Sequence, residues 1–303
     1  MTKSTIAFLL VLALNGALLQ SRSLGRTSGD APSRADANQP ASAAATRIVS
    51  LVPAVTESLF AIGAGPRVVA VSNFDHFPAA VEALPRVGAL LDPDTERILS
   101  LKPDLVVVYG SQLDLQAQFA RVGIRTYVYR HGGLADTLDT ISAIGHVTGQ
   151  TIGAARVVAN LRAKLDSIRR LVAGRTRPRT LLVLSRQPGS LRSLYASGSV
   201  GFLHDLLEVA GATNVFPDIP QESVQPSQET LLMRRPDIVI ELQPGSAVAD
   251  MNEARRAWSA LASIPAVRDK RIHVLTGAQV VIAGPRLGDA AEAIARAVHP
   301  GAF

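Results

Sequence analysis

Residues 151–173 read TIGAARVVANLRAKLDSIRRLVA. Ile152, Ala155, Val158, Leu161, Leu165, Ile168 and Val172 recur at helical intervals, while Arg156, Arg162, Lys164, Asp166, Arg169 and Arg170 take the other faces. A helix of 3.6 residues per turn gathers such positions into one apolar stripe, so the run is one long amphipathic helix. At 1.5 Å per residue it reaches roughly 35 Å, about the width of a small domain. GRTRPRT (174–180) ends it, since Pro178 cannot continue a helix.

On either side of this helix the pattern has a shorter beat. Before it, RIVSLV (47–52), RVVAVS (67–72), PDLVVVYG (103–110) and IRTYVYR (124–130) read as strands. They alternate with the helical stretches AVTESLFAIGAG (54–65), DTERILSLK (94–102) and LQAQFARVG (115–123). After it, TLLVLS (180–185), PDIVIEL (236–242) and RIHVLT (271–276) are strands, and VGFLHDLLEVAG (200–211), ETLLMRR (229–235), EARRAWSALASI (253–264) and LGDAAEAIARAV (287–298) are helices. Short strands alternating with helices call for a mostly parallel sheet covered by helices on its faces. The chain therefore divides into an N-terminal α/β lobe (47–150), a linking helix (151–174) and a C-terminal α/β lobe (175–303).

The first 46 residues are different. After Lys3 comes the apolar run IAFLLVLALNGALLQ (6–20), shorter than the roughly 20 residues that span a bilayer. Residues 1–22 have the layout of a secretory signal peptide, with an uncleaved anchor as the alternative. Residues 23–46, rich in Ala, Ser, Arg, Pro and Gly without periodicity, read as a disordered leader. The chain has no cysteine, which leaves no disulfide, thiolate metal site or cysteine-linked lipid. Its net charge is +6, with no basic block, and part of that charge lies in residues 1–46, where Lys3, Arg22, Arg26 and Arg34 face only Asp30 and Asp36; this does not suggest a nucleic-acid binder.

One motif occurs once in each lobe. ERILSLKPDLVVV starts at Glu96 and ETLLMRRPDIVI at Glu229, and in each the glutamate stands seven residues before a Pro-Asp pair that opens a β-branched run. Asp94 can cap the first helix and Ser227 the second. Each glutamate then lies in a first helical turn, where the macrodipole favours a carboxylate by about 0.3–1 kcal/mol. That suffices to explain either glutamate singly, and the repeat by itself establishes duplication of the lobe.

Together RIVSLVPAVTESLFAIGAG (47–65), RVVAVSNFDHFPAAVEALPRVG (67–88), ERILSLKPDLVVV, FLHDLLEVAGATNVF (202–216) and PSQETLLMRRPDIVI (226–240) resemble the cobalamin-binding branch of a family. That family comprises the periplasmic binding proteins that deliver siderophores, haem and cobalamin to ABC permeases. The resemblance covers about residues 47–300. It implies two Rossmann-like lobes bridged by one helix, a ligand held between them with limited closure, no resident cofactor and no catalysis. It implies a monomer when free, in the periplasm, docking on an ABC permease dimer with its ATPase subunits. Glu96 and Glu229 match the glutamates that each lobe presents to permease arginines, which would make the repeat one acidic contact per lobe.

Open α/β sheets bind ligands beyond the carboxyl ends of their strands. At those ends stand Phe74, His76 and Phe77 in SNFDHFP, Tyr109 and Gly110 in VVVYGSQ, and, in the second lobe, Arg186 and Tyr195. Aromatic rings there suit the broad apolar face of a corrin or porphyrin. Arg286 in TGAQVVIAGPR aligns with the family, and it and Arg186 could meet ligand amides or carboxylates, or pair with surface acids. The family's tryptophans before the two glutamate helices are absent, where this chain has GALLDPD (88–94) and PQESVQPS (220–227). Cobalamin is the expected ligand; haem or a ferric siderophore is the alternative, and with haem His76 could ligate iron. Trp258 reads as packing. No dinucleotide fingerprint, phosphate loop, nucleophile elbow or Ser-x-x-Lys motif is present to support an α/β enzyme.

Overall fold

The computed structural model describes residues 43–245 and 250–303. The apolar N-terminal run read as a signal peptide, and the leader up to residue 42, lie outside the described residues. The first lobe runs β1 (Ile48–Ser50), α1 (Pro53–Ala61), β2 (Val68–Val71), α2 (Thr95–Ser100), β3 (Leu105–Tyr109), α3 (Leu113–Arg121), β4 (Arg125–Tyr129) and α4 (Leu134–Val147). Helix α5 (Thr151–Val172) follows. The second lobe runs β5 (Arg179–Ser185), β6 (Tyr195–Ser197), α6 (Phe202–Val209), β7 (Thr213–Asn214), β8 (Ser223–Val224), α7 (Gln228–Arg234), β9 (Ile238–Gln243), α8 (Met251–Trp258), α9 (Pro265–Arg268), β10 (Ile272–Thr276) and α10 (Leu287–Val298).

In the first lobe the strands pair in the order β2-β1-β3-β4, all parallel. The run Leu105–Val108 of β3 is buried throughout, as a central parallel strand covered on both faces must be. The second sheet has the order β10-β9-β5-β6-β8, with β7 also beside β5. Its β10, β9, β5 and β7 are parallel, but β6 and β8 add antiparallel. For β6 the reason is local: Arg186–Leu194 is too short for the crossover of about a dozen residues that a parallel neighbour needs.

The duplicated motif is structural in both copies. Asp94 Oδ1 accepts from Arg97 N at 3.0 Å, and Ser227 Oγ accepts from Thr230 N at 3.2 Å, so both expected caps form. Each helix ends at a non-glycine residue in the left-handed region, Lys102 (φ 49°) and Arg235 (φ 48°), immediately before the proline. The aspartate after that proline then ties down the first strand of its own lobe. Asp104 accepts from Thr46 N and Arg47 N at 2.8 and 3.1 Å, and Asp237 accepts from Arg179 N at 2.9 Å.

Several elements differ from the expectations drawn from the sequence: helix α4, the short strands β6, β7 and β8, and the short helix α9 have no counterpart there. The helix read over 253–264 starts earlier, at Met251, because Asp250 caps Asn252 N and Glu253 N, and it stops at Trp258 in favour of a 3-10 turn over Ser259–Leu261.

Helix α5 buries Ala154, Val158, Leu161, Leu165, Ile168 and Val172. That stripe joins residues of both lobes into one apolar cluster, with Leu59 and Ile144 from the first lobe and Leu206, Ile240 and Ile294 from the second. The linker is therefore packed as well as connecting.

Candidate functional site

Between the lobes lies a cavity of about 260 Å³. Its first-lobe wall comes from the carboxyl ends of all four strands: Leu51 and Val52 after β1, Phe74 and His76 after β2, Tyr109 at the end of β3, and Tyr129 and His131 at and after the end of β4. The second lobe covers it with Pro244 after β9 and with Ala278 and Val281–Ala283 after β10. This is the crevice that open α/β sheets use for ligands. A larger groove of about 620 Å³ lies beside the C-terminal end of α5, lined by α4, α6 and the segment that leads into β5. Two of its charged residues are already paired, Arg177 with Glu208 at 2.5 Å.

The cavity wall is aromatic in depth. Tyr109 meets Tyr129 edge-on at 5.8 Å between ring centroids, Tyr129 meets His131 at 6.1 Å, and His131 meets Phe202 of the second lobe at 5.4 Å. The Tyr129 hydroxyl and His131 Nδ1 are 3.0 Å apart. Burial pushes His131 down to about 4, against the weaker pull of Asp136, so its ring is neutral at physiological pH. Burial raises both Tyr109 and Tyr129, which stay protonated.

The loop carrying Phe74 and His76 is fixed from beneath. Asp75, 1% exposed, accepts from Ser72 N and Ser72 Oγ through Oδ2, while Arg86 donates to the carbonyls of Ser72 and Asp75. Oδ1 of Asp75 has no hydrogen-bond partner among the described residues. Desolvation raises this carboxyl to about 6, in spite of the Ser72 and Thr56 hydroxyls and the Arg86 charge.

Of the residues read from the sequence, Phe74, His76 and Tyr109 line the cavity. His76 is largely exposed and faces Glu82 at 3.3 Å. Gly110 bonds through its backbone N–H to the Tyr129 carbonyl at 2.9 Å and is absent from the cavity wall. Phe77 and Arg286 also stand outside the wall, stacked on each other with the guanidinium 3.9 Å from the ring centroid. Tyr195 packs against the apolar core. Arg186 is the clearest departure from the expected ligand contact. Its side chain is 6% exposed and bonds to Glu241 at 2.6 and 3.1 Å and to Glu253 at 2.9 and 2.6 Å. Burial opposes its charge, but these carboxylates hold it protonated. Trp258, fully buried, donates from Nε1 to Glu241 Oε1 at 2.6 Å, in keeping with the packing role read for it.

Tyr129 and His131 were missed by the sequence reading. The strand-end rule that found Tyr109 on β3 applies equally to the adjacent strand in IRTYVYR. Glu96 and Glu229 are exposed, each in the first turn of its helix. Bonds from its own backbone N–H and from the Ser227 hydroxyl hold the Glu229 carboxyl below the usual carboxylate range. Among the described residues no group of three or more His, Asp or Glu side chains is placed to hold a metal ion.

A model of the periplasmic binding protein family matches residues 48–278. The chain is 28% identical over 265 residues to an uncharacterised ABC transporter substrate-binding lipoprotein of Bacillus subtilis, covering 85% of this chain and 81% of that one. It is 27% identical over 252 residues to a vitamin B12-binding protein of Vibrio cholerae, covering 82% and 88%. The structure of a periplasmic haem-binding protein from Roseiflexus superposes with a TM-score of 0.72 at 25% identity, over 85% of this chain and 99% of that one. Both relatives and the family are solute-binding proteins rather than enzymes.

Proposed function

The chain belongs to the periplasmic binding protein family and is the extracytoplasmic substrate-binding protein of an ABC transporter; from that premise we propose that its ligand is a corrinoid, cobalamin. The observation that carries this reading is the character of the cavity wall. Phe74, Tyr109 and Tyr129 offer broad ring surfaces among Leu, Val, Ala and Pro side chains, and no Lys or Arg stands in the described lining. A corrin macrocycle bears neutral amides on its rim and needs no cations there. The carboxylates on the rim of a haem do, and Arg286 is already paired with Glu57. A similar vitamin B12-binding protein adds support.

Haem is the second reading, favoured by one specific feature. His131 is held neutral in the cavity wall and His76 stands at its edge, and a neutral imidazole is a ready iron ligand. Calorimetric titration of the purified protein with cyanocobalamin and, in parallel, haemin separates the two. Tight one-to-one binding of cyanocobalamin is the expected result, and silence with it alongside binding of haemin overturns the corrinoid reading.

In the same reading residues 1–22 direct export, residues 23–46 form a leader, and residues 47–150 and 175–303 are the lobes, joined by 151–174. The loaded protein docks through Glu96 and Glu229. Exposed ion pairs contribute little affinity each, but they orient the encounter and speed it.

A further inference from the structure

Among the described residues, apart from the packing along α5, polar contacts tie the lobes together at two places. One adjoins the linker: Leu134 N–H, at the start of α4, donates to Asp205 Oδ2 of α6 at 2.7 Å, and Phe202 N–H donates to the Gly132 carbonyl at 3.1 Å. The other joins α1 to the end of the covering segment Ala278–Ala283. There Arg286 grips Glu57 through two parallel bonds, Nε to Oε2 at 2.9 Å and Nη2 to Oε1 at 2.5 Å. The other side of the guanidinium lies on Phe77. The Glu57 side chain is 3% exposed, and among the described residues Arg286 is its one hydrogen-bonding side chain.

These two contacts respond differently when the lobes part. The first lies among elements packed on α5 and can persist as the lobes pivot about that helix. The second cannot stretch, because a buried carboxylate that loses its counter-charge must either be reached by water or stay at high cost. The pair is thus either intact, with the covering segment held down, or broken, with Glu57 hydrated. With the pair intact the cavity of about 260 Å³ falls below the ~300–1,000 Å³ of ordinary small-molecule pockets. A tetrapyrrole with its rim groups needs more room than that.

We propose that Glu57 and Arg286 form a releasable latch between the lobes, which must open before ligand can pass the segment Ala278–Ala283, with Glu57 as the positioning residue on the first-lobe side. The size argument rests on the ligand reading above; the latch itself does not. The minor state of such a two-state element is commonly populated at roughly 0.1–10%, so releasing the latch raises the rate of ligand association by about tenfold or more.

The test uses the full chain, which has no cysteine of its own. Ser100→Cys and Gln228→Cys place one spin label on an exposed site of each lobe. Interlobe distances are measured without ligand in this background, with Glu57→Gln, and with Arg286→Gln. Two single variants from opposite sides guard against one of them failing to fold, which circular dichroism reports. A narrow distance in the parent and a longer, broader one in each variant, with faster cyanocobalamin association, is the expected result. Unchanged distances in the folded variants overturn the latch. Longer distances in a protein that ignores cyanocobalamin would uphold the latch while removing the corrinoid reading.

Discussion

Asp75, buried, and His131, half-buried in the cavity wall, put opposite slopes into the dependence of stability on pH. Asp75 ionises near 6 in the folded protein against 3.8 ordinarily. Between those values the folded state holds the extra proton, so stability falls as pH rises. His131 titrates near 4 instead of 6.5. Over that window the unfolded chain holds the extra proton, so stability falls as pH drops. Each effect amounts to roughly 3 kcal/mol at full extent, and across about pH 4–6 they offset. We expect Asp75→Asn to expose the histidine, losing stability on acidification from pH 6.5 to 4 more steeply than the unaltered protein. Denaturant unfolding at several pH values checks this, and parallel profiles would remove the assignment. Arg186 makes a second residue-scale case. Arg186→Ala strands the buried Glu241, which is 5% exposed on its side chain, and should lower stability by about 3–5 kcal/mol. A loss below about 1 kcal/mol, the value of a surface pair, would mean that water reaches the site.

At the scale of elements, the short helices α2 and α7 are alike in cap, in first-turn glutamate and in left-handed exit before proline. Their caps and their glutamates have separable jobs. The caps fix where each helix starts, and the exposed acids, Glu229 with its local bond to the Ser227 hydroxyl, are the groups proposed to meet a partner. Reversing both charges, with Glu96→Lys and Glu229→Lys, should abolish stimulation of the cognate transporter's ATPase while leaving ligand affinity unchanged. Calorimetry and a reconstituted ATPase assay read the two effects separately, and lost affinity with intact stimulation would sink the docking role. Each substitution also places a cation where the helix dipole favours an anion, costing about 0.3–1 kcal/mol of stability, too little to unfold the protein.

At the scale of the whole molecule, one apolar cluster passes from α1 and α4 through α5 into α6, β9 and α10. Two lobes that share a core cannot melt independently without exposing it. Calorimetric unfolding should therefore show one cooperative transition, and two resolved transitions would show the linker packing to be weak.

The sequence by itself determined the architecture. The apolar stripe of residues 151–173 is a local periodicity, the strand–helix alternation on either side is another, and capping at Asp94 and Ser227 depends on residues three apart. Such signals survive in one dimension because the groups involved are neighbours along the chain. The strand-end rule likewise brought Phe74, His76 and Tyr109 to the cleft. What only the tertiary structure decided is who meets whom across the lobes and within the second sheet. Glu57 and Arg286 are separated by 229 positions, and nothing in PAVTES or IAGPR announces the other. Arg186 reads in sequence as a cation open to a ligand or to a surface acid, and becomes committed once Glu241 on β9 and Glu253 on α8 converge on it. Pairing of buried charges is set by desolvation in the assembled fold, which no local pattern encodes.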